Sequence, residues 1–188
     1  MPARPDLGSL HREFDQALDL ARDPELQDFL TACRPASEGP DYWGRKWGID
    51  FVEFSRAFYQ PHRPDGDVAL IEPVVDSGEL IDLVACRIPD RRTATRQGIA
   101  RALGEDWIGF CVEDGGRLVL LSDPVSWIML RRQGAVILDW TRTEFILDGV
   151  ASVLCDSRAL ARRVHDTTRR MAWPPRLQFS QRSTRHAA

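Results

Sequence analysis

Long apolar runs are missing from this chain of 188 residues. No stretch approaches the roughly 18 consecutive apolar residues typical of a membrane-spanning helix, and the first residues contain no apolar core of the kind that secretory signals carry. We therefore expect a cytoplasmic protein with no membrane contact. Hydrophobic residues make up 43% of the chain and charged residues 28%, a composition typical of a globular protein about one domain in size.

Cysteine is scarce, and its spacing excludes the common zinc-binding modules. The chain has four cysteines, with neither a CxxC motif nor a cluster of cysteine and histidine. Cys86, Cys111 and Cys155 lie within apolar runs, where cysteine behaves as a small hydrophobic residue. We interpret them as core residues of a protein in a reducing compartment rather than as catalytic thiols.

The motifs of common cofactor and catalytic sites are missing as well. No GxGxxG, GxxxxGK[ST], HExxH or GxSxG motif occurs. Dinucleotide sites, P-loops, zinc-protease helices and nucleophile elbows therefore have no support in the sequence. We expect no cofactor.

Positive charge is scarce in the first part of the chain and concentrated in the last. Residues 1–82 carry 17 acidic and 8 basic side chains (−9), residues 83–155 carry 9 of each (0), and residues 156–188 carry 2 acidic and 8 basic ones (+6). The basic end indicates a surface that binds nucleic-acid phosphates or one that pairs with the acidic front. All basic residues except Lys46 are arginine, a bias that a GC-rich bacterial genome explains.

Residues 1–60 are predicted to form a helical N-terminal segment packed on the core. Apolar residues at helical spacing predict a first helix after Ser9 and a second over 24–33. A third helix is predicted over 49–60, because Asp50 and Glu53 resemble a capping box.

Residues 61–173 are predicted to form an α/β core with a mixed sheet. Period-2 alternation and turn residues predict hairpins, and a short helix is expected between them. The predicted elements are strands 68–75 and 79–88, helix 91–104, and strands 107–113 and 117–122.

A strand, an aspartate and a helical pattern then recur three times. The aspartates are Asp123, Asp139 and Asp156, spaced 16 and 17 residues apart. Strand–helix–strand units at this spacing predict parallel pairing. The predicted fold class is therefore α/β, with a helical N-terminal part, a mixed sheet and a C-terminal parallel βαβαβα layer, whose strands are 118–122, 135–139 and 150–155.

These three aspartates have two interpretations, and both stay open. They follow predicted strands, where α/β proteins bind ligands, so they are candidate ligands for a divalent metal or a phosphorylated substrate. Aspartate is also a preferred helix N-cap, and each of the three precedes a predicted helix. Capping is the favoured interpretation.

The hairpin sequence VALIEPVVDSGELIDLVACR, followed by VILDW and SVLCDSRALARRV, resembles the Toprim cores of primases and topoisomerases from bacterial mobile elements. Toprim enzymes use a glutamate after the first strand and an Asp-x-Asp pair after a later one. The matching positions here are Ser122-Asp123-Pro124 and Asp156-Ser157-Arg158. The glutamate and the second aspartate are missing, so the resemblance implies a degenerate relative to which the catalytic residues do not carry over.

Two further groups of residues are candidates for binding. The loop 34–48 contains Tyr42, Trp43 and Trp47, which would stack on bases, anchor a protein partner or close the core over the helical front. We expect residues 174–188 to be a disordered basic tail. The last helix and this tail carry the candidate phosphate contacts, which are Arg158, Arg162, Arg163, Arg169, Arg170 and Arg176.

The function expected from these features is that of a non-catalytic bacterial accessory or interaction protein, encoded on a mobile element, whose partner is nucleic acid or another protein. The alternative is an enzyme that uses the strand-end carboxylates to bind a divalent metal or a phosphorylated substrate.

Overall fold

The computed structural model describes residues 7–23, 26, 47–171 and 174–179. The chain divides into two compact units. We call Met1–Arg101 with Asp123–Arg131 the barrel unit, and Ala102–Ser122 with Arg132–Ala188 the sheet unit.

Five strands close into a barrel in the barrel unit, in the order β1-β2-β5-β4-β3. Neighbouring strands are antiparallel, except β2 and β5, which pair in parallel at Phe58 and Thr95. The strands are β1 (Gly48–Ser55), β2 (Phe58–Gln60), β3 (Asp67–Asp76), β4 (Glu79–Arg87) and β5 (Thr93–Thr95).

Helix α1 (Leu7–Leu20) packs on the barrel core through Leu10 and Ala17, which are buried with Val52, Tyr59 and Ile71. β1 begins directly beneath this helix. A Cβ at Gly48 would lie 2.6 Å from the Cβ of Ala17, so the close approach requires glycine at this position. A bidentate ion pair adds to the contact, since Arg96 donates from Nε and Nη2 to the carboxylate of Glu13 at 2.8 and 3.0 Å.

The fully buried carboxylate of Asp82, in β4, determines the path of the chain after β5. Its Oδ1 accepts the backbone N–H groups of Leu83 and Gln97, both at 2.9 Å. Its Oδ2 accepts those of Ile99 at 2.8 Å and Ala100 at 3.0 Å. Three of these donors lie in an irregular segment outside the strands, so one side chain replaces the partners that a strand ladder would supply.

The predicted helix over 49–60 is wrong, because this segment forms β1 and β2. Ile49 and Val52 are buried in the barrel, and pairing of β1 with β3 outweighs the local capping pattern. Asp50 is buried and caps no helix. Oδ2 of Asp50 accepts the backbone N–H of His62 at 3.1 Å and lies 3.1 Å from the Nδ1 of the same histidine. These contacts hold His62 at a φ of 55°, in the left-handed region.

The predicted boundary between 1–60 and 61–173 divides strands that belong to one barrel. The helical prediction for the N-terminal part is confirmed for α1. The predicted helix over 24–33 lies outside the described residues, apart from Leu26, which is helical.

The hairpin predicted at 68–75 and 79–88 is confirmed as β3 and β4. Pro73 pairs only with β4, because the pairing of β3 with β1 ends at Ile71. The N–H that proline lacks is therefore not needed for a hydrogen bond to β1. The predicted helix over 91–104 is wrong. This segment contains β5, the irregular stretch that Asp82 holds, and β6 (Ala102–Leu103).

The sheet unit contains a parallel three-stranded sheet in the order β10-β9-β7. A separate antiparallel pair joins β6 to β8. Leu118, Leu120, Val153, Cys155 and Val164 are buried together in its core. Helix α3 (Pro124–Met129) belongs to the barrel unit. The elements of the sheet unit besides β6 are α2 (Glu105–Glu113), β7 (Arg117–Leu120), β8 (Val136–Ile137), a 3₁₀ turn (Trp140–Arg142), α4 (Thr143–Ile146), β9 (Ser152–Cys155), α5 (Arg158–Thr168) and β10 (Arg176–Phe179).

The predicted parallel layer is confirmed in part. Strands β7 and β9 lie parallel in one sheet, as predicted for 118–122 and 150–155. The middle strand differs, because β8 pairs with β6, and only an isolated parallel bridge joins Leu120 to Ala135. Gly134 and Gly149 have φ values of 110° and 78°, as expected for left-handed positions after helices.

The predicted strand over 107–113 is wrong, and the predicted disordered tail 174–188 is wrong for residues 176–179. Residues 107–113 belong to α2 and not to a strand. The helix begins after Gly104, which is left-handed, and Glu105 lies in its first turn, where an acidic residue is favourable. The predicted disordered tail 174–188 contains β10, which extends the sheet beside β9 and half-buries Leu177 against the core. Residues 180–188 lie outside the described residues.

The α/β fold class is nevertheless confirmed. No helix in the described part of the chain is long and apolar enough to cross a membrane.

We predict that Asp82→Asn lowers the free energy of unfolding by about 3 kcal/mol, because at least two of the four N–H groups then face an amide NH₂. Urea unfolding followed by circular dichroism measures the loss. The matched control Asp76→Asn, at the exposed end of β3, should change stability by no more than about 0.5 kcal/mol. Equal stabilities for the two variants would contradict this role of Asp82.

Candidate functional site

The carboxyl ends of β7 and β9 meet in a small polar cluster. Oδ2 and Oδ1 of Asp156 accept the backbone N–H and the Oγ–H of Ser122 at 2.7 and 2.6 Å. The Oγ atoms of Ser122 and Ser157 are 3.3 Å apart. Ser157 Oγ also accepts the N–H of Leu160 at 3.1 Å and so caps α5. The cap of α5 is therefore Ser157, while Asp156 joins the two strand ends.

The other two candidate carboxylates make local capping contacts. Asp123 is buried and caps α3, since Oδ1 accepts Ser126 N–H at 3.0 Å and Oδ2 accepts Ser126 Oγ–H at 2.7 Å. Oδ1 of Asp139 accepts the N–H and Oγ1–H of Thr141 at 3.0 and 2.6 Å. These bonds from Thr141, with Arg142 nearby, hold the pKa of Asp139 below its usual value. The predicted capping is present at both positions.

No three acidic, histidine or cysteine side chains among residues 7–23, 26, 47–171 and 174–179 form a group that would hold a metal ion. The acidic set of Toprim enzymes does not fit here either. Ser122 occupies the end of β7 and donates to Asp156, and Asp123 is engaged by its own helix. A role of Asp123, Asp139 and Asp156 in ligand binding stays a prediction.

The described cysteines are core residues, as the sequence predicts. Cys86, Cys111 and Cys155 are buried free thiols. Burial raises the pKa of Cys86 and of Cys155 to about 12, and that of Cys111 above its usual value. These groups remain neutral thiols near pH 7, so they are poor nucleophiles.

Helix α5 presents a basic surface. It buries Leu160, Val164 and Thr168 on one side. The other positions carry arginines with exposed side chains, which continue past the helix end and onto β10. We call this surface the arginine face, and its members are Arg158, Arg162, Arg163, Arg169, Arg170 and Arg176.

The arginine face carries its positive charge without ion pairs to the carboxylates that the structure describes. Arg163 lies over the indole ring of Trp140, with Cζ 3.8 Å from the ring centroid, and burial lowers its pKa. Within the described part of the chain, no carboxylate forms an ion pair with any of these arginines. Elsewhere arginines are paired, as where Arg87 bridges Asp67 and Asp90.

The predicted aromatic loop is described only in part. Trp47 is half-buried and packs with Ile49 and Ile88, in agreement with the core-closing interpretation. Tyr42 and Trp43 lie outside the described residues.

The sequence did not indicate the contact of Ser122 with Asp156. These residues are 34 positions apart, and only the parallel register of β7 and β9 brings them together. The one available signal was a Ser-Asp pair after one strand and an Asp-Ser pair after another.

Comparison with known proteins supports a fold relationship. No protein-family model matches the chain, and no curated protein matches its sequence. The fold is similar to that of a DNA primase domain from Pseudomonas aeruginosa, with a TM-score of 0.57 and 11% identity over 95% of this chain and 70% of that chain. At this identity the similarity shows the fold alone, and it agrees with the primase-like fold that the Toprim resemblance implies.

We predict that millimolar Mg²⁺ or Mn²⁺ leaves the melting temperature unchanged, because a metal ion at Asp156 would have to displace the hydrogen bonds from Ser122. A saturating ligand, at about 100 times its Kd, would add roughly 2.7 kcal/mol, which a thermal scan detects. Asp156→Asn and NaCl of equal ionic strength are the controls. A large metal-dependent shift that disappears in Asp156→Asn would contradict this prediction.

Proposed function

We propose that this protein is a nucleic-acid-binding accessory domain that contacts the phosphate backbone through the arginine face and has no phosphoryl-transfer activity of its own. The observation that carries the proposal is the exposed cluster of arginines with no acidic partner among the described residues.

Charge supports phosphate as the ligand of this surface. From Arg158 to Arg170 the chain carries five arginines and one aspartate, Asp166, a net charge of +4. Like charges held together repel one another, and a polyanion relieves that repulsion. The guanidinium group is well suited to phosphate because its N–H donors match two oxygens at once.

Helical geometry supports an extended ligand. Arg158, Arg162 and Arg169 follow one another at i, i+4 and i+11, and they lie on one side of α5, whose C-cap residue is the helical Arg169. At about 1.5 Å per residue they cover about 16 Å along the helix axis. Phosphates of one duplex strand follow at about 3.4 Å along the DNA axis, so the surface is long enough for several phosphates.

The fold supports the same class of partner, since it is similar to that of a DNA primase domain. The Toprim resemblance supports a protein of a bacterial mobile element, and the preference for arginine over lysine supports a GC-rich bacterial source. The free, buried cysteines support a reducing, cytoplasmic compartment. The missing Toprim glutamate and second aspartate, with Ser122 bonded to Asp156, support a role without catalysis.

An enzyme remains the second candidate. One observation favours it: Asp156 lies at the carboxyl ends of two adjacent parallel strands, where open α/β sheets bind ligands. The metal titration described above tests the metal-binding form of this candidate.

We predict that the triple variant of Arg158, Arg162 and Arg169 to Gln binds a labelled DNA duplex more weakly than the parent. Loss of three phosphate contacts should make the slope of log K against log salt shallower by up to about 2.7, at about 0.9 per contact. Fluorescence anisotropy between about 50 and about 200 mM salt measures this slope.

The matched control replaces Arg22, Arg56 and Arg63 of the barrel unit by Gln and changes the net charge equally. Equal weakening in the two triple variants would overturn the assignment to α5, and absence of binding by the parent would overturn the proposal.

A further inference from the structure

Helix α2 exposes two aromatic side chains, Trp107 and Phe110, at its surface. It buries only Ile108 and Cys111. Trp107 is 38% exposed and Phe110 is 55% exposed. Their rings meet edge to face, with centroids 5.8 Å apart and planes at 80°. The two rings therefore form one continuous apolar surface instead of two separate side chains in solvent.

An open cavity lies at this surface. Its volume is about 260 Å³, and it is lined by Asp106, Trp107 and Phe110. A Cβ built at Gly109 would meet nothing within 4 Å, so the helix backbone is open there as well. The cavity is smaller than the roughly 300–1,000 Å³ of small-molecule sites, which favours an inserted side chain over a cofactor.

The charges around the cavity select the ligand. Glu105, Asp106, Glu113 and Asp114 are exposed, and no basic residue lies between Glu105 and Asp114. Asp106, Glu113 and Asp114 therefore make this surface acidic, which repels nucleic acid and equally repels the same face of a second copy. A positively charged partner with apolar side chains is complementary to it.

We propose that this surface, Asp106, Trp107, Phe110 and Glu113, is a docking site for a basic amphipathic helix of a partner protein. An apolar side chain of that helix enters the cavity beside Trp107 and Phe110, while lysine or arginine side chains lie opposite the carboxylates. The inference is separate from nucleic-acid binding, because it concerns an acidic surface and the other a basic one.

The test uses a synthetic peptide of about 15 residues, made of leucine and lysine with the leucines on one helical face. Anisotropy of the labelled peptide should show micromolar binding to the full chain. Binding should weaken roughly tenfold or more in Trp107→Ala/Phe110→Ala, as expected for aromatic hot spots. The matched control Phe145→Ala/Phe179→Ala removes two exposed rings of the same unit, 80% and 44% exposed, and should bind like the parent.

A charge variant keeps the test informative if the aromatic variant fails to fold. Glu113→Lys leaves the apolar packing intact. It should weaken binding of the leucine–lysine peptide and strengthen binding of the same peptide with glutamate in place of lysine. Absence of peptide binding, or equal binding by both aromatic double variants, would overturn the proposal. Self-association of the chain that Trp107→Ala/Phe110→Ala abolishes would also overturn it, because the occupant would then be a second copy. Peptide binding seen only after removal of residues 180–188 would overturn it as well, because the occupant would then be this chain's own end.

Discussion

The carboxylate of Asp82 is the constraint on which the course of the chain out of the barrel depends. Four backbone N–H groups converge on it, and Arg96 lies near enough to be affected by its charge. A buried charge without such partners would be costly, whereas several N–H dipoles and a nearby guanidinium offset the loss of water. The segment Gln97–Ala100 is neither a strand nor a helix, and these hydrogen bonds hold it in the barrel unit.

In the sheet unit, one helix carries both a structural surface and the proposed binding surface. The apolar side of α5 is fixed by Leu160 and Val164 in the core, and its start is fixed by the Ser157 cap. Because helical spacing determines both sides, packing of the apolar residues also determines where the arginines lie. The proposed phosphate contacts therefore need no separate scaffold.

Local patterns were sufficient for some elements and insufficient for others. The β3–β4 hairpin was predictable because its alternation and its turn lie within one short segment. Strands β1 and β2 were not, because the Asp50–Glu53 spacing matches a capping box and only closure of the barrel makes a strand preferable. The arginine face was predictable as a charge cluster, since an amphipathic helix converts sequence spacing directly into a surface. The bond from Ser122 to Asp156 was not, since it depends on parallel register across 34 residues.

The central claim is that nucleic acid binds the arginine face of α5. The most direct measurement is a titration of the isotope-labelled full chain with a short DNA duplex, followed by amide and arginine Nε resonances in NMR spectra. We predict that the largest shifts fall on residues 158–170 and 176–179, and that the Nε signals of Arg158, Arg162 and Arg169 move with a common affinity. Largest shifts at Ser122 and Asp156, or within β1–β5, with α5 unperturbed would contradict the account.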